Sequence, residues 1–334
     1  MKWSMPAEWQ PHERTWMAWP HADYTLGDSQ AETKEAFLAW SSVANAVIRF
    51  EPVTMLVHPD QLDSCRNYLD PRVEVVAFEL NDGWMRDIGP TFVKSQSGEL
   101  AGVDWVFNGW GGQSNWAAWE NDDRVAGFIA NRLGAESRRS SLVNEGGGIH
   151  VNGAGLVLLT ETVQLGAGRN PELTRQDVED EIHSQLGTSQ AIWIRRGLTR
   201  DYEDFGTQGH VDIVACFASE GTVLFHDQLD PSHPDHSVSH EVRRTLEEFG
   251  GLKLIGIPAP RVLRDQHGVV DYSYINHYVC NGAVILCAFD DPNDEVAKEL
   301  LQQAYPDREI VLVDARALFA RGGGIHCITQ QQPR

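Results

Sequence analysis

The sequence predicts an α/β fold of five repeated units closed into a ring, and three observations carry that prediction. The pentapeptide Gly146-Gly147-Gly148-Ile149-His150 recurs as Gly322-Gly323-Gly324-Ile325-His326, and a Gly-rich turn written twice marks a duplicated supersecondary unit. Strand–turn–strand pairs recur at intervals of roughly 60 residues, the length expected of one repeated unit. Amphipathic helices fall between those pairs. A single such unit cannot bury its apolar face, whereas a ring of five buries every face and leaves few sheet edges open.

The strand pairs read as Asp87–Val103, Ile149–Thr160, Val211–Phe225 and Tyr274–Phe289. Within them, Val151-Asn152-Gly153 and Val279-Cys280-Asn281-Gly282 are turns that lead into the apolar runs Leu156–Leu159 and Ala283–Leu286. Apolar residues at three- and four-residue spacing predict helices over Ala31–Phe50, Asp122–Leu133, Thr174–Leu186, Val238–Phe249 and Asp294–Ala304. Gly134, Gly187 and Gly250 stand where helices stop. Strands follow at Val53–Val57, Ala191–Ile194, Leu252–Ile257 and Ile310–Val313. No Ser/Pro-rich linker interrupts the series, so residues 1–334 read as one domain.

Hydrophobic residues at 42% suffice for a core, and no apolar run approaches the roughly 18 residues of a membrane span. Met1 to Pro20 lacks a basic segment followed by an apolar one, so no secretory signal is expected. Five cysteines without a C-x-x-C pair argue against disulfides or structural zinc and fit a reducing cytoplasm. A net charge of −21 opposes nucleic-acid phosphates and favours small cationic partners.

Cys327 follows the second pentapeptide where inert Val151 follows the first, and a thiol at that position reads as a nucleophile. His210-Val211-Asp212, placed at the head of a strand, projects an imidazole and a carboxylate to one face. The preceding Gly206-Thr207-Gln208-Gly209 would allow close backbone approach to a ligand. Asp87, in Trp84-Met85-Arg86-Asp87-Ile88-Gly89-Pro90, and Glu145, ahead of the first Gly triplet, each have a bland reading as turn-bracing carboxylates. Their placement raises both. Asp87, Glu145, His210 and Cys327 all stand where a turn hands over to a strand pair, and equivalent positions of a ring converge on its axis.

These segments resemble the agmatine deiminase family. The resemblance rests on Pro6-Ala7-Glu8-Trp9 with Pro11-His12-Glu13, Trp84–Pro90, Phe107-Asn108 with Trp110-Gly111-Gly112, Glu145–Gly153, Gly209–Asp212 and Gly322–Pro333. They occur in family order from residue 6 to residue 333, and Ile325-His326-Cys327-Ile328-Thr329-Gln330-Gln331 is the most specific of them. The family belongs to the guanidine-modifying enzymes, related to peptidylarginine deiminases within the pentein superfamily. The resemblance implies a pseudo-fivefold α/β propeller and deimination of agmatine to N-carbamoylputrescine and ammonia. It implies Cys327 as nucleophile, His210 as general acid/base, Asp87 and Asp212 as carboxylates gripping the guanidinium, Glu145 as a further acid there, and Trp84 as an aromatic wall. No cofactor or metal is implied. A homo-oligomer with a role in polyamine synthesis or agmatine breakdown is expected. Arginine, peptidyl-arginine and other alkylguanidines are the alternative substrates, and a non-catalytic scaffold is the alternative of another class. Departures from the family pattern, such as Gln208 and the shorter Gly322–Gly324 junction, leave this catalytic set complete and bear on the substrate's tail.

Other features read as structural. His226–His240 holds His236 and His240 at helical spacing but lacks the Glu of an H-E-x-x-H motif, and Pro231 and Pro234 make it a solvated loop. Cys65, Cys216, Cys280 and Cys287 read as buried small hydrophobes. Among the eleven tryptophans, Trp84 is favoured over Trp110, Trp116 and Trp119 as a wall for a cation.

Overall fold

The computed structural model describes residues 2–113, 116–266 and 268–334. Four blades run in sequence order, each an antiparallel strand pair followed by a helix and a third strand parallel to the second. They are built on strands Thr91–Ser95, Leu100–Val106 and Glu136–Val143; on Ile149–Val151, Leu156–Thr160 and Gln190–Ile194; on Ala215–Ser219, Thr222–Asp227 and Lys253–Pro258; and on Tyr278–Cys280, Ala283–Ala288 and Glu309–Asp314. The blade helices are Val125–Leu133, Arg175–Leu186, Asp235–Phe249 and Asn293–Ala304.

The fifth blade is assembled from distant parts of the chain. Gln330–Pro333 pairs antiparallel with His12–Ala18, with Gln330 opposite Trp16, and His12–Ala18 pairs parallel with Val53–Val57 across the helix Gln30–Val47. The Trp16 indole N–H donates to Gln332 Oε1 at 2.9 Å across this seam. A ring of five ββαβ units results, as the repeats predict.

Local chemistry explains the boundaries. The Thr174 hydroxyl accepts from the Asp177 amide while Asp177 accepts from the Thr174 amide, and this reciprocal cap starts Arg175–Leu186. Gly187, at φ 67°, ends that helix in the left-handed conformation that costs other residues energy. Inner strands such as Val53–Val57 are buried along their whole length, because helices cover one face and neighbouring blades the other. No helix among the described residues is long and apolar enough to cross a membrane.

One local prediction fails. Val211–Ile213 is a single 3-10 turn, and the strand begins only at Ala215. His210 and Asp212 therefore do not share a strand face. They reach the axis from the entry and middle of a tight turn. Gly206 and Gly209 also serve the protein and not a ligand: a Cβ on Gly206 would lie 2.1 Å from the Asp201 carbonyl oxygen, and one on Gly209 2.4 Å from the Tyr202 hydroxyl.

The His226–His240 segment differs from expectation in burial. His226, His233 and Asp235 are buried, and the helix begins at Asp235, ahead of Val238. Half-buried His236 and exposed His240 lie with their Nε2 atoms 3.3 Å apart. The other four cysteines are buried free thiols, one closing a short helix and three in strands.

Candidate active site

Each blade delivers one tight turn to the axis just before its first strand. Asp87 lies in the turn Met85–Ile88, Glu145 enters Gly146–Gly148, His210 enters Val211–Ile213, and Cys327 lies in His326–Ile328. The remaining blade contributes Asn276, ahead of Tyr278–Cys280, and its side-chain N–H donates to Cys327 Sγ at 3.3 Å. The two Gly triplets bring these turns within contact. A Cβ on Gly147 would fall 2.5 Å from His210 Nδ1 and 2.9 Å from Asp87 Oδ1. One on Gly323 would fall 2.8 Å from the Trp84 ring and 3.0 Å from Cys327 Sγ.

The convergence places Asp212 Oδ2 3.7 Å from Cys327 Sγ. His210 Nε2 lies 3.3 Å from Glu145 Oε2, and its Nδ1 3.8 Å from Asp87 Oδ1. Asp87 accepts from the Trp110 indole N–H at 2.8 Å and from the Gly147 amide at 2.9 Å. All five predicted groups are buried. Two polar atoms of the group, His210 Nδ1 and Asp212 Oδ1, are buried with no hydrogen-bond partner among the described residues. Buried polar atoms without partners are uncommon, and here they mark where a ligand's donors and acceptors would fit.

Asp87 and Cys327 floor a narrow cavity. Its walls are aromatic: Trp84, Trp110, Trp116, Tyr24 and Phe205, with Tyr24 and Phe205 stacked at 5.2 Å. Trp84 is thus one of several aromatic walls: Trp110 and Trp116, which the sequence ranks below it, line the cavity as well. Trp119 instead packs on Gly109. The Trp84 indole N–H is fixed by Asp82 at 2.9 Å, which also accepts from the His21 amide.

Glu145 does not line this cavity. Arg169 Nε donates to both of its oxygens, at 3.1 and 3.0 Å, and Arg169 is anchored in turn on the Thr207 carbonyl. Glu145 is thus held between Arg169 and His210. His210 and Asp212 form the layer immediately beneath the cavity floor.

Electrostatics differentiate these groups. Burial opposes charge on His210, but Asp87, Glu145 and Asp212 outweigh it and raise its pKa to about 9. Burial, with Asp212 and Asp87 adding, holds the Cys327 thiol well above its ordinary pKa. Burial also raises Asp87, reinforced by Asp212 and Glu145. For Glu145, burial is overcome by Arg169 and His210, and for Asp212 by His326, so both are held below the ordinary carboxylate range. The surroundings accordingly favour the protonated form of both His210 and the thiol.

Sequence reasoning missed Asn276, Arg169, Glu8 and His326. His326 Nδ1 lies 2.8 Å from Asp212 Oδ2, and its Nε2 2.8 Å from Glu8 Oε1. His150, the matching histidine of the first pentapeptide, places Nε2 3.7 Å from Glu8 Oε2. The signal was in the repeat itself: a histidine kept in both copies serves one shared carboxylate.

Comparison with known proteins shows the family. Residues 4–333 match the family model described as Porphyromonas-type peptidyl-arginine deiminase. A Streptomyces coelicolor protein provisionally named agmatine deiminase is 57% identical over 340 residues, covering 100% of this chain and 100% of its own. The agmatine deiminase of Stutzerimonas stutzeri is 38% identical, covering 98% of this chain and 95% of its own. The solved agmatine deiminase of Enterococcus faecalis superposes with a TM-score of 0.92 at 33% identity, covering 100% of this chain and 96% of that one.

Proposed function

The chain belongs to the agmatine deiminase family, hydrolases of carbon–nitrogen bonds in guanidines, and from that premise we propose that it converts agmatine to N-carbamoylputrescine and ammonia through a thiouronium on Cys327. The observation that carries the proposal is a thiol beside a buried carboxylate with a free oxygen, at the closed end of an aromatic slot.

A guanidinium is a poor electrophile, because its charge is delocalised and its proton is held with a pKa above about 12. Asp87 and Asp212 bind the planar cation and present its central carbon to Cys327 Sγ. Binding of the cation releases the Cys327 thiol proton to solvent, the thiolate forms the C–S bond, His210 gives its proton to the departing nitrogen, and the C–N bond breaks to release ammonia. Neutral His210 then takes a proton from water as the water attacks the thiouronium carbon. The C–S bond breaks, the urea carbonyl remains on the product, and Cys327 is restored. The neutral ureido product has no ion pair with the carboxylates and dissociates.

The cavity favours agmatine over arginine. No Lys or Arg is among the described residues that line it, so an α-carboxylate would meet Asp87 and aromatic rings without a cation. Nearby Arg200 is held by Asp265 at 2.8 Å. Ammonia release from agmatine, arginine, an arginine peptide and simple alkylguanidines tests the assignment. Release from agmatine, with the others at least about tenfold slower in kcat/KM, is expected. Release preferring arginine or the peptide replaces the substrate.

Burial, Asp212 and Asp87 hold the thiol above its ordinary pKa, and we infer that the substrate's own charge helps activate it. Alkylation of Cys327, followed against pH, should show an apparent thiol pKa that falls when a non-reactive guanidinium is bound. A pKa unmoved by saturating guanidinium would refute substrate-assisted activation.

A further inference from the structure

His326, one residue before the nucleophile, and Glu8 extend a chain of contacts from Asp212 and take no part in the steps above. Its partners fix its charge. Both nitrogens of His326 lie 2.8 Å from carboxylate oxygens, one on Asp212 and one on Glu8. An ionised carboxylate offers only lone pairs, so each contact requires a proton on the ring nitrogen. An imidazole protonated on both nitrogens is a cation. All three residues are buried, so water does not compete for these bonds.

The other titratable groups packed on His326 fit that state. Arg86 donates from Nε to the His326 carbonyl at 3.3 Å and places Nη1 3.4 Å from Glu8 Oε1. His150 stacks on His326 at 6.2 Å, and burial, with a smaller contribution from His326, lowers the pKa of His277 to about 4. Burial and Arg86 oppose charge on His326, while Glu8 and Asp212 overcome them and raise its pKa. Burial is likewise overcome at Glu8, which His326, Arg86 and His150 hold well below the carboxylate range. Glu8, His150 and His326 also place ligand atoms within 4.8 Å of one another, as a metal would require. Arg86 already supplies a fixed positive charge to Glu8 there, and Asp212 occupies the second nitrogen of His326.

We propose that His326 is a permanent imidazolium anchored by Glu8, and that the two are positioning residues which keep Asp212 ionised and turned with its free Oδ1 toward the guanidinium. The proposal rests on the reading that Asp212 grips the substrate. Holding Oδ2 leaves Oδ1, which has no other partner among the described residues, as the atom presented to the ligand. His326 is thereby excluded as a second acid or base, despite lying next to Cys327.

Two measurements test it. In the ¹⁵N spectrum of the full chain, the His326 ring should show both nitrogens protonated from about pH 6 to 9. A neutral ring anywhere in that range overturns the proposal. Kinetically, Glu8→Gln should lower kcat/KM for agmatine roughly 10- to 100-fold, mainly through KM. It should also create a limb falling between about pH 6 and 8, because His326 without its anchor loses its proton as pH rises. A profile of wild-type shape overturns the proposal, since a merely structural Glu8 would reduce active protein without a new limb. His326→Asn keeps a donor toward Asp212 but cannot titrate. The new limb should vanish from the Glu8→Gln/His326→Asn double variant, and its survival assigns the titration elsewhere and overturns the proposal. Asp212→Asn separates the two readings. If it leaves KM near normal, the role of Asp212 fails. If it raises KM sharply while Glu8→Gln is silent, the positioning pair alone fails.

Discussion

Cys327→Ala should lower ammonia release from agmatine by about 10⁴-fold or more, because no other thiol or hydroxyl of the site can replace the sulfur as nucleophile. The other four cysteines are buried in a helix end and in strands, away from the cavity. Folding should survive the substitution. Sγ is one small atom whose partners, Asn276 and Asp212, keep other bonds: Asn276 to the His326 amide at 3.0 Å and Asp212 to the His326 ring. The variant should still bind agmatine, since the carboxylates that hold the cation are untouched. Calorimetric binding without turnover is the expected pair of results. Turnover within tenfold of the parent enzyme would remove Cys327 from the mechanism.

Asp87→Asn should cost kcat/KM roughly 30- to 5,000-fold, the range for breaking a buried charged pair of about 2–5 kcal/mol. Two physical effects add. The substrate loses one of its counter-charges. The new amide must also set an N–H against one of two fixed donors, the Trp110 indole or the Gly147 amide, both of which now point at a carboxylate. Its pH dependence is distinctive. Asp87 is the largest single charge raising His210 to about 9, so without it the imidazolium loses its proton at lower pH. The alkaline limb of kcat should therefore move to lower pH. Stopped-time ammonia assays across pH would reveal it, and an unshifted limb would mean that Asp87 does not govern His210.

The ring was legible in the sequence because its determinants are local and repeated. Val53–Val57 and the ends of Thr174–Leu186 follow from apolar spacing, a Thr cap and a Gly stop, and the structure agrees with them almost residue for residue. The tight turns were less legible. His210-Val211-Asp212 carries β-branched and apolar neighbours that read as strand, yet the Asp201 carboxylate, accepting from the Thr207, Gly209 and His210 amides, bends the segment into a turn. Nothing within that tripeptide announces a partner nine positions earlier. The nucleophile was conspicuous because its twin is a valine, whereas Glu8 was not: its contact with His326 spans 318 positions and has no periodicity to betray it. Asn276 and Arg169 were hidden for the same reason, being single residues whose roles exist only once the turns converge.

The seam of the fifth blade has a kinetic meaning. Pairing Gln330–Pro333 with His12–Ala18 is among the most non-local contacts the chain makes, and such contacts form late because a long loop must close first. Cys327 lies three positions before that strand, and Glu8 four before its mate, so closure of the seam is what holds the nucleophile in place. Four blades without the seam would hold the carboxylates and His210 but no placed sulfur. Catalytic competence therefore reports on the closed seam, and partial opening of it would silence the enzyme while most of its secondary structure persists.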